Sequence, residues 1–310
     1  MEPKRGPDAM TTHHWDSNTN HLTFHERFSA ADFDAGYNLR ARRPDFEQTV
    51  ITTWQAGSEA ARARLDCELD HRYGSGERQC LDIFRCGDAA AATLVFFHGG
   101  YWKSGDKSIY SFIATPFTEA GVNVVVAGYD LCPAISVTGI CEEARRAMAY
   151  LWTKGTGLGI NPARIAVMGH SAGGHITQMM MATDWPVFAD GLPSGLIRAG
   201  IPLSPVSYLE PVRLTPAVND GVGLTAEEAE SQSPMTAHPP ATDAPQLVVV
   251  GGGETDEFRR QAAMYAAAYG SGRRAITLLE VPQVDHFDLL NVLVDPQSAL
   301  FRAVRRMAAA

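Results

Sequence analysis

Cysteine is scarce in this sequence and offers no pairing pattern. The 310 residues contain five cysteines, an odd number, with no C-x-x-C pair and no spacing typical of a zinc site: Cys67, Cys80, Cys86, Cys132 and Cys141. Reduced structural thiols are therefore expected, and not a disulfide framework. A cysteine nucleophile would need an accessible position beside a base, and none of the five lies in a strand–turn–helix sequence.

Positive charge and long apolar runs are also lacking. The formal net charge is −9, and no block rich in Lys and Arg could reverse it locally, so nucleic acid is not an expected partner. No stretch reaches the roughly 18 to 20 consecutive apolar residues that span a bilayer. Met1 to Trp15 is polar and contains no signal-peptide core. We expect a cytoplasmic protein that acts on a small molecule without contacting a membrane. The sequence carries no signal for or against homo-oligomerisation.

The N-terminal part of the chain differs in composition from the rest. Residues 1–20 are rich in Pro, Asp, Thr, Asn and His, which favours a flexible leader. From Phe24 to Leu65, helical spacing is interrupted by glycine and proline, which predicts two or three short helices. We assign residues 21–65 to an N-terminal helical appendage near the active site and residues 66–310 to one catalytic domain.

Short apolar runs alternate with helical stretches beyond residue 66. Cys67 to Tyr73 and Cys80 to Phe84 predict a hairpin. Six further runs have the composition of buried parallel strands: Ala92 to Phe97, Val122 to Ala127, Arg164 to Met168, Arg198 to Leu203, Gln246 to Val250 and Ala275 to Val281. Five stretches between or after them have helical spacing: Ile109 to Ala120, Ile140 to Lys154, His175 to Ala182, Glu257 to Ala268 and Gln297 to Met307. This alternation predicts an α/β fold with a mostly parallel sheet and helices on both faces.

A G-x-S-x-G pentapeptide follows one of the predicted strands and precedes a helix. It runs from Gly169 to Gly173, with Ser171 at its centre. This context is the one that a nucleophile elbow of the α/β-hydrolase fold requires. The alternative is a Gly/Ser-rich turn that matches a loose pattern. The elbow interpretation predicts Ser171 as the nucleophile, on a turn too sharp for bulky neighbours.

A second motif supports the elbow. His98-Gly99-Gly100-Tyr101-Trp102 follows the strand that ends at Phe97, where this fold presents backbone N–H groups to an oxyanion. Glycine allows close approach to a substrate, so Gly99, Gly100 and Ala172 are the predicted oxyanion-hole donors. His98 is predicted to support the loop and not to act as the base.

The base and the acid should follow Ser171 in the chain, in the order acid then base. Of three histidines, His175 lies on the helix after the elbow and His238 in a Pro-rich loop. His286 comes just past the last predicted strand and is the predicted base.

The glycine-rich segment after the strand Gln246 to Val250 offers three carboxylates. Glu254 is the preferred acid because it comes first after the glycines. Asp256 stays open as an alternative, although it and Glu257 are expected to begin a helix, where negative charge is favourable.

Other candidate groups are interpreted as structural or solvated. Asp285 and Asp288 lie too close to His286 in sequence to orient it, so solvated loop carboxylates are expected. Four histidines near the N-terminus match no metal-binding spacing: His13, His14, His21 and His25. No metal and no cofactor are therefore expected.

The motifs together resemble the kynurenine formamidase (arylformamidase) family of the hormone-sensitive-lipase-like α/β hydrolases. The resemblance covers roughly Tyr73 to the C-terminus, and besides the three motifs it includes Leu81-Asp82-Ile83-Phe84, Tyr129-Asp130-Leu131-Cys132-Pro133, Leu209-Glu210-Pro211 and Glu257-Phe258-Arg259-Arg260-Gln261. It implies Ser171 as nucleophile, His286 as base and residue 254 as acid. The chain departs from the animal formamidases in having Glu254 where they carry Asp, which suggests a bacterial-type branch.

The resemblance implies hydrolysis of an N-formyl arylamine, with N-formylkynurenine as the expected substrate. Tyr101, Trp102 and Phe287 could line a pocket for the aromatic leaving group, or could be ordinary packing residues. A carboxylesterase of small aryl or alkyl esters is the main alternative, because it would use the same triad. A hydrolase fold retained as a ligand receptor is the third hypothesis.

Overall fold

Eight strands form one sheet in the part of the chain that the computed structural model describes, residues 28–270 and 275–309. The strands are β1 (Cys67–Arg72), β2 (Cys80–Phe84), β3 (Thr93–Phe97), β4 (Asn123–Ala127), β5 (Ile165–His170), β6 (Ile197–Leu203), β7 (Gln246–Gly251) and β8 (Ile276–Val281). Their order across the sheet is β1-β2-β4-β3-β5-β6-β7-β8. The β1–β2 and β2–β4 pairs are antiparallel and the other pairs are parallel. The predicted hairpin and the predicted fold class are both confirmed.

Helices cover both faces of the sheet. The α-helices are α1 (Ala30–Tyr37), α2 (Leu39–Arg42), α3 (Thr52–Arg64), α4 (Ala114–Glu119), α5 (Val137–Lys154), α6 (Ala172–Met181), α7 (Trp185–Phe188), α8 (Glu210–Arg213), α9 (Pro216–Val222), α10 (Ala226–Ser231), α11 (Pro234–Ala237), α12 (Asp256–Tyr269), α13 (Asp288–Leu293) and α14 (Ala299–Ala309). A π-helical turn covers Glu47–Ile51, and 3₁₀ turns cover Lys107–Ile113, Gly155–Leu158 and Pro162–Arg164. None of the helices in the described residues is both long and apolar enough to cross a lipid bilayer.

Alternate residues of the central strands belong to two separate hydrophobic cores. In β3, Val95 and Phe97 contribute to one core, and Leu94 and Phe96 to the other. Successive side chains of a strand point to opposite faces, so a strand that is covered on both sides is apolar throughout. This explains why the central strands read as continuous apolar runs in the sequence.

One predicted helix begins differently from the expectation. The stretch predicted as a helix from Ile109 to Ala120 forms the 3₁₀ turn Lys107–Ile113, followed by α4. Pro116 explains the change, because its nitrogen has no hydrogen to donate to a carbonyl one turn earlier. It is tolerated only within the first turn of an α-helix, and α4 accordingly begins at Ala114.

The segment before β1 packs through α3 on the 3₁₀ turn Lys107–Ile113. Ser58 Oγ in α3 donates a hydrogen bond to the Ile109 carbonyl (2.7 Å) and accepts one from the Phe112 N–H (3.0 Å). The Trp54 and Phe112 rings stack at 5.6 Å between centroids. The predicted leader, residues 1–20, lies outside the described residues, as do His13, His14, His21 and His25. The division into an appendage and a catalytic domain stays a prediction.

Candidate active site

Ser171 occupies a strained turn between β5 and α6. Its backbone has φ 60° and ψ −117°, a conformation that non-glycine residues rarely adopt. A Cβ atom at Gly169 would lie 2.1 Å from the Gly173 carbonyl oxygen, and a Cβ atom at Gly173 would lie 2.0 Å from the Phe97 carbonyl oxygen. Both glycines are therefore required for close approach to the backbone, and the turn leaves Ser171 at the carboxyl end of β5.

His286 is hydrogen-bonded to Glu254, on the loop after β7. His286 Nδ1 lies 2.6 Å from Glu254 Oε2, and both side chains are almost completely buried. The other carboxylate oxygen, Oε1, accepts hydrogen bonds from the Gly251 N–H (2.7 Å) and from the Ser204 hydroxyl. These two donors fix the orientation of the carboxylate, which in turn fixes the imidazole ring.

Asp256, the alternative acid, points away from this pair. Its side chain is fully exposed, it is the first residue of α12, and it forms a 3.6 Å ion pair with Arg259. A carboxylate at this position complements the helix dipole. The structure therefore brings Glu254, and not Asp256, into contact with His286.

His170, inside the elbow, anchors the His286 loop. Its Nε2–H donates to the His286 backbone carbonyl at 2.8 Å, and the two rings lie 4.4 Å apart between centroids. Burial, reinforced by the nearby His286, holds the pKa of His170 well below its ordinary value. His170 is thus a neutral donor that fixes the loop. Sequence reasoning missed this role, since the pentapeptide pattern leaves that position unspecified.

The loop after β3 lies beside Ser171. A Cβ atom at Gly99 would lie 3.2 Å from Ser171 Cβ, and Gly100 has φ 116°, which favours glycine. In the described residues, the backbone N–H groups of Gly99, Gly100 and Ala172 make no hydrogen bond to another backbone group. These three N–H groups can therefore donate hydrogen bonds to a ligand oxygen, as an oxyanion hole requires.

His98 supports this loop from beneath. It is completely buried between the rings of Tyr129 (4.2 Å) and Tyr110 (5.6 Å), and its Nδ1–H donates to the Gly99 carbonyl at 2.8 Å. Burial lowers the pKa of His98 to about 4, so the ring is neutral at physiological pH. These contacts agree with the supporting role expected from the sequence.

Ser171 and His286 open on the same cavity, which has a volume of about 630 Å³. Among the described residues, no hydrogen bond joins Ser171 Oγ to His286 Nε2, and such bonds are often completed only when the substrate binds. Aromatic side chains form much of the cavity wall: Tyr37, Phe46, Trp54, Tyr101, Tyr110 and Phe287. Two cationic residues, Arg40 and Lys103, also line it.

The structure corrects one predicted pocket residue. Tyr101 and Phe287 line the cavity as expected, but Trp102 is not among its lining residues and is completely buried. Tyr101 and Trp102 both have positive φ, at 49° and 55°, so the chain turns sharply between them and sends the indole into the core. There, Trp102 Nε1–H donates to His175 Nδ1 at 3.3 Å.

The pocket residues that the sequence did not reveal come mainly from the segment before β1. Tyr37, Arg40, Phe46 and Trp54 all line the cavity, yet no motif marks them. Helical spacing of apolar residues predicted helices here but not the surface against which they pack. Only the general expectation that residues 21–65 lie near the active site pointed to them.

Asp285 and Asp288, predicted as solvated, are held by a cation from the same segment. Arg43 Nη1 donates to Asp288 Oδ2 at 2.9 Å and also to Asp285 Oδ2. The Arg43 side chain is only 22% exposed. The two carboxylates keep 36% and 42% of their side-chain surface exposed, so they are partly solvated as predicted. Their cation was missed because a loop sequence does not reveal a partner more than 200 residues away in the chain.

His175, His238 and the five cysteines have structural surroundings. His175 is completely buried, and its Nε2–H donates to the Gln232 carbonyl at 2.8 Å, while His238 Nε2 bonds the Ser231 carbonyl. All five cysteines are free thiols. Burial raises the pKa of both Cys132 and Cys141 to about 12, which disfavours the nucleophilic thiolate.

Comparison with known proteins gives matches over most of the chain. A family model described as alpha/beta hydrolase fold matches residues 94–289. Kynurenine formamidase of Salmo salar is 28% identical over 87% of this chain and 92% of its own length. Kynurenine formamidase of Drosophila melanogaster is 27% identical over 84% of this chain and 88% of its own length. These relatives confirm the resemblance that the motifs predicted.

Esterases match at lower coverage or identity, and one solved structure matches over most of the chain. A carboxylesterase of Mycobacterium tuberculosis is 26% identical over 66% of this chain and 69% of its own length. Among solved structures, one from Silicibacter sp. superposes with a TM-score of 0.74, is 27% identical, and covers 91% of this chain and 98% of its own. Esterase B of Lactobacillus rhamnosis has a TM-score of 0.65 at 16% identity, over 85% and 96% of the two chains. The last likeness concerns the fold alone.

Proposed function

The chain belongs to the α/β-hydrolase fold family. From that premise we propose that it is a serine hydrolase that removes the formyl group from an N-formyl arylamine. N-formylkynurenine is the proposed substrate, and kynurenine and formate are the products. One observation carries the proposal. The Glu254–His286 pair and Ser171 meet at a cavity lined by six aromatic side chains. The kynurenine formamidase relatives, which match along most of their length, support the choice of substrate.

The reaction begins with Ser171. Because Glu254 binds His286 Nδ1, the ring carries its proton on that nitrogen and leaves Nε2 free to accept the Ser171 proton. Ser171 Oγ then attacks the formyl carbon. The backbone N–H groups of Gly99 or Gly100 and of Ala172 hold the oxyanion that develops.

The second half of the reaction releases both products. His286, now protonated, donates its proton to the aniline nitrogen, the C–N bond breaks and the arylamine leaves. A water molecule, deprotonated by His286, attacks the formyl ester on Ser171 and releases formate. An aniline leaves more readily than an alkylamine, so this mechanism favours aromatic amides of a small acid.

The cavity suits an aromatic amino acid as the leaving group. Tyr101 and Phe287 offer ring faces to the arylamine, and Arg40 and Lys103 offer positive charge to its carboxylate. Lys103 Nζ donates to the Ala217 and Val218 carbonyls, at 3.2 and 2.6 Å. Burial lowers the pKa of Lys103; the nearby Asp220 opposes this shift, and Arg40 adds a smaller contribution in the same direction as burial. Arg40 also pairs with the Glu47 carboxylate at 3.4 Å, so a substrate carboxylate would be an additional partner for the two cations.

The decisive experiment compares kcat/KM for N-formylkynurenine, phenyl acetate and a longer-chain aryl ester. We expect the formyl substrate to be preferred. A preference for the esters would instead establish the alternative, a carboxylesterase, in line with the Mycobacterium tuberculosis relative. Failure of Ser171 to react with a fluorophosphonate would favour a non-catalytic receptor.

A charge variant tests the orientation of the substrate. Arg40→Ala should lower kcat/KM for N-formylkynurenine about 10-fold or more, consistent with 1.5–3 kcal/mol for a charged hydrogen bond, and should leave kcat/KM for neutral N-formylaniline unchanged. Arg42→Ala is the matched control, since Arg42 carries the same charge on α2 but is not among the residues that line the cavity. Equal losses for both substrates would contradict the carboxylate contact.

A further inference from the structure

The loop that carries His286 is clasped by the segment before β1. Three contacts join them: Arg43 with the carboxylates of Asp285 and Asp288, the Phe46 ring with the Phe287 ring, and Trp54 Nε1 with Asn291 Oδ1. The ring centroids lie 4.5 Å apart and the last hydrogen bond is 3.0 Å. We propose that Arg43 is a positioning residue for the catalytic base, and that it acts through the two aspartates that flank His286.

Asp285 shapes the chain on which His286 stands. Its Oδ1 accepts hydrogen bonds from the backbone N–H groups of Phe287 (3.0 Å) and Asp288 (2.8 Å), and its carbonyl accepts from the Leu289 N–H (3.1 Å). The Asp285 side chain thus caps the start of α13. Arg43 binds the other oxygen, Oδ2, and so fixes the carboxylate that makes this cap.

Asp288 extends the same network to the neighbouring helix. Its Oδ2 accepts from Arg43, while its Oδ1 accepts from Asn291 Nδ2 at 2.9 Å. Asn291 Oδ1 accepts from Trp54 in α3, which closes the network back onto the segment before β1. His286 is therefore held at its ring by Glu254 and at its carbonyl by His170. Arg43 holds Asp285, one residue before it, and Asp288, two residues after it.

Charge as well as geometry depends on Arg43. Contact with Asp288 and Asp285 raises the pKa of the guanidinium, which stays protonated and neutralises the carboxylates beside the base. Several other charged or titratable groups lie on the elements that pack against His286. Glu254 and His170 contact its ring, and Asp285 and Asp288 lie on its own loop. On α12, beside Phe258, Glu257 forms an ion pair with Arg260. Removing Arg43 would leave two carboxylates without their cation, one residue before and two residues after His286, and would favour the protonated imidazole.

The test uses Arg43→Gln and Arg43→Lys, with Arg42→Gln as the matched control for the loss of one positive charge on the same segment. Activity is followed with phenyl acetate, so that the result depends on His286 and not on the formyl substrate. For Arg43→Gln we expect kcat to fall about 10- to 100-fold with little change in KM, since misplacing a catalytic group by about 1 Å can cost 10²-fold. The acid limb of the kcat/KM profile should move to higher pH.

The two other variants separate charge from geometry. Arg43→Lys keeps the charge but loses the planar guanidinium, whose Nη1 binds both aspartates while its Nε binds Asp45, so its acid limb should stay near that of the unchanged protein while kcat remains reduced. Arg42→Gln should match the unchanged protein in both. An unmoved acid limb together with a kcat loss below about 3-fold in Arg43→Gln would overturn the proposal, as would a loss that only follows the unfolded fraction in thermal unfolding.

A second variant serves if Arg43→Gln does not fold. Asp288→Asn removes one carboxylate and keeps the Asp285 cap, so the acid limb should move the opposite way, to lower pH. No movement, or movement to higher pH, would contradict the proposal. The inference rests on the proposed role of His286, so His286→Gln is measured in parallel. Full activity of His286→Gln would refute that role itself, whereas loss there with no effect in Arg43→Gln would refute the positioning by Arg43 alone.

Discussion

Replacing Glu254 by glutamine tests the acid through a tautomer switch. Glu254 Oε1 accepts from the Gly251 N–H, which can only donate, so the amide oxygen of a glutamine must occupy that position. The amide NH₂ then faces His286 Nδ1, which lies 2.6 Å from the carboxylate in the unchanged protein. Facing a donor, Nδ1 must accept, and the ring proton moves to Nε2. The imidazole then has no free lone pair to deprotonate Ser171.

The expected loss is large and specific to catalysis. Forcing the wrong tautomer in a serine–histidine–acid triad lowers kcat by about 10⁴-fold, which corresponds to about 5 kcal/mol of transition-state stabilisation. The free energy of unfolding should change by no more than about 1–2 kcal/mol, because the hydrogen bonds at both carboxylate positions can still be formed. Initial rates with phenyl acetate and thermal unfolding followed by circular dichroism measure the two quantities.

Asp256→Asn is the control, because it removes a nearby carboxylate that is fully exposed. It should keep nearly full activity and lose only a little stability through its contribution at the start of α12. If Glu254→Gln kept more than about a hundredth of the activity, the tautomer argument would fail. A loss confined to Asp256→Asn would transfer the acid role to that residue.

Three further predictions address the nucleophile, the corrected aromatic residue and acid stability. Ser171→Ala should retain less than about a thousandth of the activity with unchanged circular dichroism, and greater residual turnover would exclude Ser171 as the nucleophile. Trp102→Phe should destabilise the fold by about 1–3 kcal/mol by leaving His175 Nδ1 without its donor, with KM unchanged because the indole is outside the cavity wall; a raised KM would refute that placement. Burial lowers the pKa of both His98 and His175 to about 4. Between about pH 6.5 and 4 the unfolded chain therefore binds protons at these histidines while the folded chain does not, so the melting temperature should fall as the pH drops through this range. A melting temperature that stays constant across that range would show that these rings are not buried in neutral form.

The fold and the polar centre of the site were readable because each depends on a local pattern. Short apolar runs predicted the central strands, since a strand covered on both faces has no polar side. The pentapeptide around Ser171 marks a turn that only glycine neighbours permit. Strand order then restricted the base and acid to loops at one edge of the sheet, where Glu254 and His286 do meet.

The cavity wall and its supports were not readable, because they depend on contacts distant in sequence. Arg43 reaches Asp285 across 242 residues, and no spacing rule connects them. The orientation of Trp102 depends on two successive residues with positive φ, which its own sequence neighbourhood does not require. His170 was overlooked because its contact is with the backbone of His286, which any residue type would supply.

The contacts between the His286 loop and the segment before β1 place catalysis and substrate selection on two different stretches of the chain. The proposed catalytic groups Ser171, Glu254 and His286 lie within residues 94–289, the part matched by the family model, whereas Tyr37, Arg40, Arg43 and Phe46 precede it. Changes in the earlier stretch can therefore alter which leaving group is accepted without touching the nucleophile. A substitution at Arg43 would also displace the His286 loop. Substitutions at Arg40 would therefore change substrate selectivity alone, whereas substitutions at Arg43 would change the reaction rate as well.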